Sequence, residues 1–179
     1  MYDGTDAGLL SGETAMGKYP VEAVQMMAKI VEDSESHLDY SQHRHTGAVV
    51  QGVSNISNAV CSGTVSTAHE LGAKAIVTPT ISGFTAKLLS KWRPEAPIIG
   101  LSPSASAVRR MQLYWGVKPY QAKRADSTDI LVYASIELLK DKKELQEGDL
   151  VVVTAGVVSY SKRHEPASDT NIMRVVTVD

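Results

Sequence analysis

The chain has 179 residues, 43% of them apolar and 21% charged, and carries a net charge of −2. That length buries a substantial core and suggests one domain with a fragment of another, while the near-neutral charge gives no reason to expect nucleic acid or an acidic membrane as a partner. Cys61 is the only cysteine, so no internal disulfide forms and a reducing compartment, the cytoplasm, is expected. No apolar run approaches the ~20 residues that span a bilayer, and the acidic start Met1-Tyr-Asp-Gly-Thr-Asp6 lacks the basic and apolar regions of a signal peptide.

Asp3 to Leu10 reads as a strand with a short apolar end, and Ser11 to Lys18 as a loop. Tyr19-Pro20-Val21-Glu22 opens a helix, with proline in the first turn and a carboxylate that complements the dipole. Val21, Val24, Met27, Ile30 and Val31 give that helix an apolar stripe at 3.6 spacing. The unit is strand, loop and helix with no earlier strand to pair with, and a serine beside a carboxylate in its loop, Ser11 and Glu13, is too common to define a site. Ser34 to Val49 is a polar connector. His43 and His45 lie two residues apart in it, but no cysteine or acidic residue has the spacing to complete a metal site.

Val53, Ile56, Val60 and Leu71 mark a helix that Gly72 ends. Ala75, Ile76 and Val77 follow as a buried parallel strand ended by Pro79. Its exit loop carries Thr78, Thr80, Ser82, Gly83 and Thr85, and Leu88, Leu89 and Trp92 then recur at helical spacing. A helix start offers unpaired N–H groups and the positive end of a dipole, which suit an anion. Hydroxyls there also cap helices, so capping by Ser82 or Thr85 explains the same residues. Arg93 to Pro97 is a turn, Ile98 to Leu101 the next strand, and Ser102 to Ser106 a second hydroxyl-rich loop into a helix with Val108 and Met111 on its apolar side. A short strand is expected within Tyr114–Tyr120. Asp126 to Asp129 caps a helix with Ile130, Leu131, Tyr133, Ala134, Ile136 and Leu138 as apolar positions. Leu150 to Thr154 is the most strand-like run, a long loop reaches Asp169, and Met173 to Val178 alternates as a final strand.

Helix and strand therefore alternate after the connector. The expected fold class is α/β: a doubly wound, mainly parallel sheet of about five strands whose last strand is antiparallel because only a loop precedes it. Ligands of such sheets bind beyond the carboxyl ends of the strands. Three hydroxyl-bearing loops leave there, and the third contains Lys162 and Arg163.

Two sets of residues carry a family resemblance. Asp3-Gly-Thr-Asp-Ala7, Leu10-Ser-Gly-Glu-Thr-Ala15 and Gly17-Lys-Tyr-Pro-Val-Glu-Ala23 resemble the end of the catalytic barrel of pyruvate kinase. Ile76-Val-Thr-Pro-Thr-Ile-Ser-Gly-Phe-Thr-Ala86, Arg93-Pro-Glu-Ala-Pro-Ile-Ile-Gly100, Glu147-Gly-Asp-Leu-Val-Val-Val-Thr-Ala-Gly156 and Thr170-Asn-Ile-Met-Arg-Val-Val176 resemble its C-terminal regulatory domain. The likeness implies that residues 1–40 are the last βα unit of a (β/α)₈ TIM barrel and residues 41–179 the regulatory domain. It carries Ser11 and Glu13 over as barrel residues near the active site. It carries Thr80, Ser82, Gly83, Phe84 (through its N–H) and Thr85 over as the phosphate site of an allosteric effector.

The family transfers a phosphoryl group from phosphoenolpyruvate to ADP with Mg²⁺ and usually K⁺. The lysine and acidic Mg²⁺ ligands that this requires come from earlier barrel strands, so the resemblance implies an inactive chain with no metal bound. Gly8 stands where a larger apolar residue is usual. The loop 157–168 has no interior glycine, and Leu131 stands where some members hold a second phosphate with arginine. A sugar monophosphate or nucleotide monophosphate, helped by Lys162 or Arg163, then fits at least as well as fructose 1,6-bisphosphate. A stand-alone phosphometabolite-binding module is the alternative, and a small enzyme in its own right a third. The resemblance further implies a partner in the rest of the barrel and at least a homodimer, because the Val21–Val31 stripe has lost the strands it covers.

Overall fold

The computed structural model describes residues 4–40, 55–125, 127–156 and 170–179. Residues 4–10 form no strand, which corrects the expected first strand: a strand needs a neighbour to take its N–H and C=O groups. The loop after it contains a short helix, α1 (Gly12–Ala15), and α2 runs Pro20–Ser36 with proline in its first turn. No residue of α2 is buried, and Val21, Val24 and Ile30 are all more than half exposed. Gly8 packs against this helix. A Cβ there would lie 1.9 Å from the Met27 methyl, so the small residue makes room for methionine.

The remaining elements are α3 (Asn55–Glu70), β1 (Ala75–Pro79), α4 (Phe84–Lys91), β2 (Ile98–Ser102), α5 (Ala105–Met111), β3 (Val117–Gln121), α6 (Thr128–Asp141), β4 (Leu150–Ala155) and β5 (Ile172–Thr177). The strands form one sheet in the order β3-β2-β1-β4-β5. β1 pairs in parallel with β2 and β4, β2 in parallel with β3, and β5 antiparallel to β4. The chain starts at the middle of the sheet, moves out through β2 to β3, then returns past β1 to β4. Right-handed crossovers place the helices of the outward and return legs on opposite faces.

The packing agrees. Ile76, Ile98 and Val152 lie with Cys61, Val65 and Ala68 of α3, Leu88 and Leu89 of α4, and Met111 of α5. Val77, Ile99, Leu101, Val151 and Val153 lie with Val132, Ile136 and Leu139 of α6. Each fully buried leucine contributes about 1.5–3 kcal/mol relative to exposure. All five residues of β1 and of β2 are buried, as expected for strands covered on both faces.

Two helices turn different faces inward from those the sequence pattern suggests. In α3 the buried positions are Ser57, Asn58, Cys61, Thr64, Val65 and Ala68, while Ile56 and the following Leu71 are exposed; Val53 lies outside the described residues. Small side chains let α3 lie close on the sheet, and the Thr64 hydroxyl donates to the Val60 carbonyl at 2.8 Å, so its burial leaves no orphan. In α6, Val132, Ile136 and Leu139 face the core, whereas Ile130 and Tyr133 are exposed. Gly72 ends α3 as expected, with φ +58.

Candidate functional site

The strand order reverses at β1, so the carboxyl ends of β1 and β4 flank a topological switch point, the usual ligand crevice of an open α/β sheet. Residues 80–83 leave β1 there, and the chain returns at Thr170 to begin β5. These two stretches meet: the Thr85 and Thr170 hydroxyls are 2.8 Å apart and buried. The Thr170 N–H donates to Ser57 Oγ at 3.0 Å, which ties the start of α3 to the same place.

The loop is held from beneath. The Thr80 N–H donates to the Leu101 carbonyl at 2.8 Å, and Ser102 Oγ donates to the Ile81 carbonyl at 3.0 Å. Gly83 sits at the N-cap of α4 with φ +83, and a Cβ would lie 2.9 Å from Met111 Cγ. Glycine is needed there twice over, for the left-handed backbone and for the close approach.

The structure brings Thr80, Ser82, Gly83, Phe84 and Thr85 together at one helix start. Thr80 Oγ1 accepts the Gly83 N–H at 3.1 Å and Ser82 Oγ accepts the Phe84 N–H at 3.3 Å. Ser82, one residue ahead of the Gly83 N-cap, thus occupies the first N–H of the helix without being its cap residue. The bond to Ser82 is long, and an anion would exchange both for charge-assisted ones of roughly twice the strength. Thr85 is different, being 4% exposed and already bonded to Thr170. Ile81 and Phe84 are the exposed apolar side chains of the loop. Lys162 and Arg163 lie outside the described residues, as do the 157–168 loop and His43 and His45.

Beneath the loop, Asn58 and Thr78 are buried with side-chain polar atoms that find no partner among the described residues. Cys61 is buried beside Thr170, and burial pushes its thiol up to about 12, so it is inert. The sequence marks Thr170 only as the first residue of the Thr170–Val176 motif and gives it no role at the site; its bonds to Thr85 and Ser57 span 85 and 113 residues and leave no local signal.

Ser11 and Glu13 lie elsewhere, in the exposed turn at the start of α1. The Ser11 N–H donates to Glu13 Oε2 at 3.0 Å. Bonds from its own N–H and from that of Ser11 hold the Glu13 carboxyl below its ordinary range. Among the described residues no three His, Cys, Asp or Glu side chains gather to hold a metal ion, and no helix is long and apolar enough to cross a membrane.

Fold and loops together define a mainly parallel α/β domain with a hydroxyl-rich loop at the switch point of its sheet. The model of the pyruvate kinase alpha/beta domain matches residues 58–176. The chain is 39% identical over 181 residues to the pyruvate kinase of Clostridium acetobutylicum, covering all of this chain and 37% of that one. It is 39% identical over 178 residues to the pyruvate kinase of Bacillus licheniformis, covering 99% and 29%. A crystal structure of a pyruvate kinase from Cryptosporidium parvum superposes with a TM-score of 0.79 at 29% identity, over 95% of this chain and 32% of that chain. The chain belongs to the pyruvate kinase family, and it spans about a third of the length of these relatives.

Proposed function

We propose that this chain is the C-terminal part of a cytoplasmic pyruvate kinase. Residues 1–40 would supply the last strand and helix of the catalytic barrel and residues 41–179 the regulatory domain. The observation that carries this is the match with the Clostridium enzyme, which runs through the whole chain, including the 57 residues ahead of the α/β domain match that starts at residue 58. The whole enzyme moves a phosphoryl group from phosphoenolpyruvate to ADP with Mg²⁺ and K⁺, held by residues outside this chain. Ser11 and Glu13 border that active site and cannot spread the developing charge of the transfer alone, so the isolated chain is inactive.

Within the chain, the Thr80–Thr85 loop binds the phosphate of an allosteric effector, a sugar phosphate or nucleotide. Ser82, Thr80 and the N–H groups of Gly83 and Phe84 are the contacts, Thr85 braces the helix start against Thr170, and Lys162 and Arg163 supply a second anion contact. The position of the loop at the switch point, at the start of α4, supports this. Calorimetric titration with fructose 1,6-bisphosphate, ribose 5-phosphate, glucose 6-phosphate and AMP tests it. One ligand is expected to bind, to be lost in Ser82→Ala/Thr85→Ala, and only to be weakened in Thr170→Val, which removes the brace of Thr85 but leaves the contacting groups in place. Binding unaffected by the double substitution would place the phosphate elsewhere.

A further inference from the structure

Arg93 stands at the opposite end of α4 from this loop. The helix ends at Lys91, Trp92 caps it, and Arg93 turns the chain with φ +47 directly before Pro94. Left-handed backbone at a residue with a side chain is unfavourable and persists where the surroundings hold it. At this position just past a helix end such backbone is ordinary; the contacts of the side chain lead out of the sheet. Arg93 Nη2 donates to the Gly4 carbonyl at 2.5 Å and to Asp6 Oδ1 at 2.8 Å. The guanidinium also lies 4.7 Å from the centre of the Trp115 ring, within the range of a cation–π contact. Trp115 Nε1 in turn donates to Glu35 Oε1 at 2.7 Å.

One arginine therefore ties the sheet to both parts of the N-terminal segment: the run that leads to Ser11 and Glu13, and, through Trp115, the last turn of α2. Its side chain is only 11% exposed, whereas that of Asp6 is 58% exposed. Burial depresses the Arg93 pKa, opposed by the charges of Asp6 and Glu35. Nη1 is buried without a partner among the described residues. A buried unpaired donor is costly, so side-chain packing alone does not account for arginine at this place.

We propose that Arg93 is a positioning residue: by gripping Gly4 and Asp6 it fixes the Ser11–Glu13 turn relative to the sheet, from the far end of the helix that begins at the anion loop. The importance of that turn for the reaction rests on the pyruvate kinase reading above; the grip itself does not. The bonds join residues 87 and 89 positions apart, so they set the placement of the segment rather than local structure. Charge and planarity both matter, because a lysine ammonium is a point charge that cannot bond Gly4 and Asp6 while laying a flat cation over the Trp115 ring.

The test is a distance distribution by pulsed electron resonance, between nitroxides at Met16→Cys and Lys87→Cys, both exposed. Cys61 is buried and stays unlabelled. The unsubstituted clasp is expected to give one narrow distance. Arg93→Met and, independently, Asp6→Asn are expected to broaden it at least twofold, with the urea midpoint of the sheet nearly unchanged. Arg93→Lys is expected to fall between. An unchanged distribution in Arg93→Met or Asp6→Asn overturns the proposal, as does a lysine variant no better than methionine. The distance is read without substrate or effector, so it is independent of what Ser11 does. Ser11→Ala in a pyruvate kinase carrying this chain as its C-terminal part decides that question separately.

Discussion

Gly83 and Cys61 show how single residues bear on the site from opposite directions. Gly83 combines φ +83 with a Cβ position 2.9 Å from Met111. Gly83→Ala is therefore expected to lower stability by about 1–3 kcal/mol in urea unfolding, and to weaken effector binding by misplacing the Phe84 N–H. Cys61 acts through ionisation. Its thiol is raised to about 12 in the fold by burial, whereas an unfolded thiol titrates near 8.5. Its neutral form thus stabilises the fold fully below about pH 8.5, and that contribution falls by roughly 1.4 kcal/mol per pH unit as only the unfolded chain ionises. Urea curves of the parent and Cys61→Ala should converge as pH rises from 8.5 to 10.5; a constant difference would contradict the buried, neutral thiol. The glycine was legible in the sequence because it stands between hydroxyls at a strand-to-helix loop. The role of Arg93 was not: a turn of Trp, Arg and Pro says nothing of a carboxylate 87 positions earlier.

The elements were largely legible, and their inward faces less so. β1, β2 and β4 are apolar runs buried on both faces, a pattern that few other structures produce. The antiparallel β5 agrees with the loop-like sequence pattern ahead of it. The faces of α3 and α6 were misread because an apolar count rewards Ile56, Leu71, Ile130 and Tyr133, while close packing on the sheet selects Ser57, Cys61, Thr64 and Ala68. Small and hydroxyl side chains carry little hydrophobic signal but fit a narrow gap and satisfy themselves on the helix backbone. Caps are the firmer signal. Ser127 Oγ accepts the Ile130 N–H at 3.3 Å, as the run before α6 suggests. Ser127→Ala is expected to cost about 1 kcal/mol, seen as a lower urea midpoint with an unchanged slope.

At the scale of the molecule, apolar side chains remain exposed on α2 (Val21, Val24, Met26, Ile30) and on the edge strand β5 (Met173, Val175). Large apolar patches mark interaction surfaces, and an open edge strand is a template for pairing. At least a dimer is expected in sedimentation, dissociating on dilution; a monomer across a wide concentration range would speak against association through these surfaces. The first strand was misread for a related reason: the segment at residues 4–10 pairs with no strand among the described residues, and a strand needs such a neighbour. The central claim is the anion site at the switch point, and amide chemical shifts test it most directly. On titration with the effector set, the account predicts the largest shifts at the Gly83, Phe84 and Thr85 N–H groups, with smaller ones at Thr170. Shifts concentrated instead at the other end of the sheet, around the cavity lined by Lys74, Lys140 and Lys143, would contradict it.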